Sequence, residues 1–352
     1  MSLLREFRRD LLIAAAGLLG LLALGLLIEH AWPRDFLTAI FAYGLLAMSL
    51  NLLIGFTGLV SFGHAAFFAF GGYSFGLLLQ SQGFTEGLGG FAVPVAFVAA
   101  VLGTSLYALM IGAICVRLSE IYFAFLTLAF QMFLYSLIIS WVDLTGGDQG
   151  LMGGIPRPEF LGINLHDQYH RFTVCAILFV VCLVILRIVT QSPFGFTLRM
   201  IRDNPERAGF LGVNVFRVKL ICFVVASAMA SVGGVILALF TSGAYPEWAF
   251  WAQSGEAIFM IMLGGLNVFF GPLLGAVLLR ILNDTVQSYT THQEIVIGIV
   301  ILVVVLGLRR GILDFIRDWW VERQQARLAQ EARKEDTASS ILRQPMRRDK
   351  VQ

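Results

Sequence analysis

Long apolar stretches separated by short polar segments run along most of the chain. A stretch of about 20 apolar residues is long enough to cross the hydrocarbon core of a bilayer as a helix. The pattern predicts eight such spans, at residues 11–28, 36–54, 59–80, 91–115, 119–141, 172–190, 218–242 and 292–308. We therefore expect an all-α polytopic membrane protein with about eight transmembrane helices.

A further apolar stretch, residues 257–282, is interrupted by Gly264 and Gly265 and again by Gly271 and Pro272. If it crossed the membrane once, the charge distribution of the loops on either side would conflict with the rest of the chain. A segment that dips into the membrane, breaks and returns removes the conflict. Broken backbone at membrane depth needs surrounding protein or water, and it often lines solute pathways. The sequence thus predicts a broken or re-entrant segment, with one kinked crossing as the alternative.

A second break is predicted between the spans 36–54 and 59–80, where the chain reads GFTGLVSFGH from Gly55 to His64. Glycine is unfavourable inside helices, so glycines here indicate a bend with exposed backbone groups. Other glycines, such as Gly72 and Gly76, are four residues apart, a spacing that lets membrane helices approach closely. The glycines therefore divide into bending and packing positions.

The composition agrees with a membrane protein, because the chain is 58% hydrophobic and 14% charged with a mean hydropathy of +0.80. Of its 25 Lys and Arg residues, 21 fall on one face of the predicted topology. The positive-inside rule makes that face cytoplasmic and places both termini there. The first span follows Arg5, Arg8 and Arg9 and resembles a signal peptide, but no cleavage motif follows it, so we expect an uncleaved anchor.

Several kinds of chemistry find no support in the sequence. The four cysteines have no CxxC spacing, and His166 and His170 stand four apart without an HExxH pattern, so no metal site is predicted. The spans hold no obvious acid relay for ion coupling, with His64 as the clearest ionisable candidate. No GxxxxGK[ST] phosphate loop occurs in the chain. The pattern indicates a solute pathway whose energy source lies in another protein.

The polar, basic segment 191–217 is predicted to be cytoplasmic and to hold a short helix. Asp203 or Asn204 can cap this helix, Pro205 suits its first position, and Gly212 can end it. The helix would present Phe210 and Leu211 beside Arg207. Two interpretations stay open on physical grounds: insertion into a groove on a partner protein, or a helix on the surface of an acidic membrane.

Four motifs, at 57–73, 145–158, 192–220 and 254–276, resemble in order and spacing the LivM-type permeases of branched-chain amino acid ABC importers. The resemblance covers about 36–310. It implies a bacterial inner-membrane permease without enzymatic activity or cofactor, associated with lipids and not with nucleic acid. The implied partners are a LivH-type permease, two cytoplasmic ATP-binding subunits and a periplasmic solute-binding protein. The implied ATPase-coupling helix comprises Asn204, Pro205, Glu206, Arg207, Ala208, Phe210, Leu211 and Gly212.

Five polar residues near the two breaks are candidates for the substrate pathway: Asn51, Thr57, Ser61, His64 and Asn267. For Asn51 an interhelical hydrogen bond is an equally good interpretation, and for His64 a packing role is favoured.

The sequence departs from the expected family pattern at Asn267 and Val268, at Phe269 and Phe270, and at Phe56, and these departures leave the solute open. A branched-chain or other small hydrophobic amino acid is expected. A urea, short-amide or aromatic-acid importer is the alternative within transport, and a passive channel or membrane scaffold is the alternative from another class.

The domain organisation expected from these patterns is simple. Residues 1–320 form the transmembrane permease domain, with the coupling segment 191–217 inside it. Residues 321–352 form a basic cytoplasmic tail whose charged composition indicates a flexible segment.

Overall fold

The computed structural model describes residues 31–323 except for 119, 152–153, 158–163, 290–294, 300–301, 303–310 and 321, together with positions 17 and 20. These residues form helices and connecting loops, and the described part contains no strand. The numbered α-helices are α1 Ala31–Thr57, α2 Ala65–Gln80, α3 Gln82–Leu88, α4 Ala92–Cys115, α5 Glu120–Ser140, α6 Val142–Thr145, α7 Gln168–Gln191, α8 Pro193–Asp203, α9 Pro205–Phe210, α10 Val215–Thr241, α11 Trp251–Gly264 and α12 Gly271–Tyr289. The described residues 295–299 and 312–320 are also helical.

The all-helical class is confirmed, and the number of spans is confirmed in part. Helices α1, α5, α7, α10 and the stretch Gln82–Cys115 that ends in α4 are long and apolar enough to cross a membrane. They coincide with predicted spans 36–54, 119–141, 172–190, 218–242 and 91–115. The predicted span 59–80 forms the shorter helix α2, which begins only at Ala65. The predicted spans 11–28 and 292–308 lie largely outside the described residues.

Helices α1, α2 and α10 form the centre of the bundle, where small residues allow close backbone contact. Helix α10 carries a buried row of small residues at intervals of four positions: Ala226, Ala230, Gly234 and Ala238. On α2, a Cβ added at Gly72 would lie 3.1 Å from the Gly234 carbonyl oxygen. Backbone approach of this kind is the usual basis of helix association in lipid. The predicted packing role of the four-spaced glycines is therefore confirmed at Gly72.

The surrounding helices turn apolar side chains outward. Leu102 and Met110 of α4 and Phe125 and Phe133 of α5 are exposed large hydrophobic residues. Exposed apolar faces of this extent on long apolar helices fit contact with lipid rather than water.

The segment 257–282 is broken as predicted. Helix α11 ends at Gly264, Gly265 has a φ of +118° that favours glycine, and α12 begins at Gly271. The two helices are antiparallel, because Gly271 lies against Gly264 while Gly275 lies against Met260 one turn earlier. The chain thus returns toward the end of the bundle from which α11 came. We call this unit the α11–α12 hairpin.

Candidate functional site

The first break is a buried, irregular connection between α1 and α2. Helix α1 ends at Thr57, whose hydroxyl donates to the Leu53 carbonyl, and Gly58 follows with a φ of +76°. Ser61 is fully buried, and its hydroxyl accepts a hydrogen bond from the Gly63 amide at 3.3 Å. A Cβ at Gly63 would overlap the Thr127 carbonyl of α5. The first break therefore places backbone directly against backbone.

His64 lies at the end of this break and is completely buried. Its Nε2 atom is 2.9 Å from the Ser49 hydroxyl oxygen, which also lies 2.9 Å from the Leu46 carbonyl oxygen. A hydroxyl has a single hydrogen, so a neutral His64 that donates from Nε2 while Ser49 donates to Leu46 satisfies both contacts. The contact ties α1 to the start of α2 and favours the packing interpretation of His64.

A chain of buried side chains fixes the start of α2. The Ala65 amide donates to the Ser254 hydroxyl of α11 at 2.9 Å, and that hydroxyl donates to the Gln131 side-chain oxygen of α5 at 2.7 Å. The Gln131 amide group in turn donates to the Phe250 carbonyl at 2.8 Å. An α-helix leaves its first amide groups without internal partners, so Ser254 acts as an N-terminal cap supplied by another helix. No local sequence pattern marks Ser49, Gln131 or Ser254 as members of this network.

The second break, at the tip of the α11–α12 hairpin, is held by polar contacts at its edge. The Asn267 backbone and side-chain amides both donate to one oxygen of Asp314, at 3.2 and 3.0 Å. Asp314 is buried, and its other oxygen lies 3.8 Å from the Arg317 guanidinium. The Leu266 carbonyl accepts a hydrogen bond from the Asn51 side chain of α1 at 3.4 Å. Two predicted pathway residues, Asn51 and Asn267, therefore meet the same tip.

Arginines of α7 and α8 contact both breaks. Arg202 donates to the Gly55 carbonyl near the end of α1. The guanidinium of Arg199 lies 5.1 Å from the Phe56 ring centroid, and that of Arg187 lies 5.1 Å from the Phe269 ring centroid. Arginine over an aromatic face is a favourable electrostatic contact. The bulky residues that depart from the expected family pattern thus have partners in this chain.

The five pathway candidates do not form one cluster of mutual contacts. Asn51 bonds to the hairpin tip, whereas Ser61 and His64 lie in the first break. The Thr57 hydroxyl bonds to a backbone carbonyl of its own helix, α1. The side-chain oxygen of Asn51 is buried and has no hydrogen-bond partner among the described residues. The predicted role of these residues in a pathway stays a prediction.

The short helix α9 has the form that the sequence predicts. Asn204 caps it by accepting from the Arg207 amide at 2.8 Å, and Pro205 occupies the first position. At its end the Val213 amide bonds to the Ala208 carbonyl and the Gly212 amide to the Gly209 carbonyl, with Gly212 at a φ of +87°. This pair of bonds is a Schellman motif. The ends of α9 are thus defined by its own residues.

The apolar tip of α9 is open. Phe210 is 91% exposed and Leu211 is 68% exposed, whereas Ala208 is buried against the body of the protein. Pro205, Glu206 and Arg207 are also exposed. Two adjacent, strongly exposed apolar side chains at the end of a polar helix are suited to contact with a partner.

The remaining titratable clusters offer no metal site. His170 Nδ1 lies 3.3 Å from the Asp167 carboxylate in an exposed segment. Across the part of the chain that the structure describes, no group of three potential metal ligands occurs.

Comparison with known proteins identifies the family. Residues 33–305 match the family described as the permease component of the branched-chain amino acid transport system. The chain belongs to this permease family. It is therefore a multi-pass membrane protein that acts in transport and is not an enzyme. Permeases of this family work in ABC transporter complexes with ATPases and a solute-binding protein.

Relatives of this permease include both permease types of one transport system. It is 26% identical to LivM of Salmonella typhimurium, over 83% of this chain and 74% of that protein. It is 25% identical to LivH of Escherichia coli, over 77% of this chain and 91% of that protein. It is also similar to the ribose import permease RbsC of Bacillus subtilis, at 31% identity over 43% of this chain and 47% of that protein.

Proposed function

We propose that this permease is the LivM-type half of an ABC importer for branched-chain or other small hydrophobic amino acids. A LivH-type permease would form the other half, two ATP-binding subunits would dock on the cytoplasmic side, and a periplasmic protein would deliver the solute. The similarity to both LivM and LivH supports a paired permease. The partial similarity to a ribose permease is the reason to establish the solute by experiment.

The observation that carries the ATPase-coupled function is the exposed tip of α9. Phe210 and Leu211 stand out from a helix whose two ends are capped, and α9 follows directly after α8, which contacts both the body of the bundle and the first break through Arg202. Large apolar anchors that fill a pocket on a partner commonly carry about 2 kcal/mol or more of binding free energy. Glu206 and Arg207 beside them would set the orientation of the contact.

Replacement of one anchor tests this function. In the purified complex, Leu211→Asp should release the ATPase subunits or abolish solute-stimulated ATP hydrolysis. Leu88→Asp is the matched control, because Leu88 is also exposed but lies in α3, next to a different group of helices. Normal ATPase retention and stimulation in Leu211→Asp would instead support a helix that rests on the membrane surface.

Transport itself is tested with the complete complex in vesicles that carry ATP inside and the binding protein outside. Uptake of leucine that requires ATP is the expected result. Uptake of urea or of an aromatic acid in place of leucine would select the alternative solutes. Solute flux without ATP would favour a passive channel, and the absence of any flux with a fully assembled complex would favour a scaffold.

The proposed topology places both termini in the cytoplasm of a bacterium and the ends of the α11–α12 hairpin outside. In a background without the native cysteines, cysteines at Leu88 and Ser288 should both react with an impermeant thiol reagent added outside. Reaction at position 288 only after permeabilisation would contradict the re-entrant arrangement. Position 210 should show the reverse behaviour and serves as the internal reference.

A further inference from the structure

An open cavity lies where α4 ends and α10 begins, away from both breaks. Its volume is about 640 Å³, and it opens widely to the surface. The cavity is lined by Val116, Arg117, Leu118, Val215, Phe216 and Lys219. Two basic side chains thus share a pocket whose other walls are apolar.

An aromatic contact fixes the position of one of these two charges, that of Arg117. The Arg117 guanidinium lies 5.3 Å from the Phe216 ring centroid, so the aromatic face holds it at the wall of the cavity. Lys219 is one helical turn after Phe216 on α10 and lines the same cavity. A phosphate oxygen between the two side chains would receive hydrogen bonds and charge from both.

The surroundings of the cavity are apolar in the direction of the membrane. Met110 and Ile114 lie four residues apart on α4, just before the cavity-lining residues that follow its end, and they are 64% and 55% exposed. These residues form an apolar stripe that runs from the cavity along the outer face of the bundle. A soluble protein at the membrane surface would leave this stripe uncovered, whereas an acyl chain would follow it.

We propose that this cavity binds an anionic phospholipid, with its phosphate group between Arg117 and Lys219 and an acyl chain along Met110 and Ile114. Basic pockets between transmembrane helices are suited to acidic lipid headgroups. An anionic headgroup is attracted by the two basic side chains, whereas a zwitterionic headgroup brings a cation of its own into the pocket. The site is independent of the transported solute and goes beyond the proposed transport function.

The test measures which lipids stay with the purified complex. The complex is reconstituted in bilayers of phosphatidylcholine with a minor fraction of phosphatidylglycerol, extracted in mild detergent and analysed by native mass spectrometry. Arg117→Gln should lower the retained phosphatidylglycerol about fivefold, the change expected for one basic residue near an acidic headgroup. Arg117→Lys should keep most of it, because the charge remains.

Two further variants separate a defined site from a diffuse basic surface. Arg217→Gln removes the same charge from an exposed residue that does not line the cavity, and it should leave lipid retention unchanged. Val215→Trp keeps every charge but fills the cavity, and it should lower retention as Arg117→Gln does. Equal losses in Arg117→Gln and Arg217→Gln, or full retention in Val215→Trp, would overturn the proposal.

Two other occupants are distinguished by the same preparations. Loss of the ATPase subunits from Arg117→Gln with unchanged lipid retention would assign the cavity to a protein interface and contradict the lipid site. Displacement of the retained lipid by inorganic phosphate in the wash would show that the cavity binds a free anion, which also contradicts it. A folded, monodisperse complex in all four variants is the control for each comparison.

Discussion

The two breaks in the membrane-embedded helices are built in different ways. The first break, between α1 and α2, is closed by contacts inside the bundle, including the Ser49–His64 bond and the cap from Ser254 to Ala65. The tip of the α11–α12 hairpin is held from its edge, through Asp314 and Asn51. We therefore expect the first break to act as a fixed joint and the hairpin tip to move when its edge contacts are released. Similar glycine-rich sequences would then serve two different mechanical roles.

The largest expected effect is at Gly63 in the first break. Gly63→Val would push a side chain into the Thr127 backbone of α5, and neither backbone can move without separating α2 from α5. We expect a loss of about 3 kcal/mol or more, which is enough to prevent stable folding in many proteins. The measurement is the amount of monodisperse protein in the membrane fraction.

Gly83→Val is the matched control for this change, because a Cβ at Gly83 would meet no atom within 4 Å. Similar yields for the two variants would contradict the description of the first break as a fixed joint.

The next largest effect is expected at the hairpin tip. Asp314→Asn removes the charge that accepts two hydrogen bonds from Asn267, and bonds to charged groups are each worth about 1.5–3 kcal/mol. We expect a cysteine at position 268 to react with a thiol reagent roughly tenfold faster in this variant, which corresponds to about 1.4 kcal/mol. A cysteine at position 60, in the first break, should be unaffected.

Asp318→Asn is the control, because Asp318 pairs with the same arginine, Arg317, whereas both Asn267 donors bond to Asp314. A similar acceleration at positions 60 and 268 would mean that the two breaks move together.

A smaller effect is expected at Arg202, which joins α8 to the end of α1. Arg202→Met keeps the length of the side chain but removes the donor to the Gly55 carbonyl. We expect the solute transported per ATP to fall about threefold to tenfold while ATPase binding is retained, since one charged hydrogen bond is lost. Arg217→Met is the control from the same segment, 191–217. Loss of ATPase binding instead would place Arg202 at the subunit contact.

The last effect, on thermal stability, is expected at Ser254. Ser254→Ala removes the cap of the Ala65 amide and the donor to Gln131, and a loss of about 1–3 kcal/mol follows from one unsatisfied buried group. Thermal unfolding in detergent measures this change. Ser288→Ala is the control, because the Ser288 hydroxyl bonds only within its own helix and is exposed. A Ser254→Ala protein as stable as the control would show that the cap does not stabilise the first break.

The sequence was sufficient for those features that depend on neighbouring residues. The spans follow from local hydropathy, and the ends of α9 follow from Asn204, Pro205 and Gly212 within nine residues of chain. The sequence was insufficient for predicting contacts between residues that lie far apart in the chain. Ser254 caps an amide 189 positions earlier in the chain, and no local pattern marks a single serine as that partner.

The aromatic residues at the breaks illustrate the same limit. From the sequence, Phe56 and Phe269 are only bulky departures from the family pattern. In the structure each lies against an arginine of α7 or α8, so its size is matched by a partner more than 80 residues away.

The shortness of α2 has a consequence for the response of the protein to its membrane. With 16 residues, α2 is about 24 Å long, less than the hydrocarbon thickness of about 30 Å. Because α2 is enclosed by other helices and not by lipid, hydrophobic mismatch acts on the peripheral helices α4, α5 and α7. Bilayers of different thickness should therefore tilt the outer helices and leave the central glycine contacts in register.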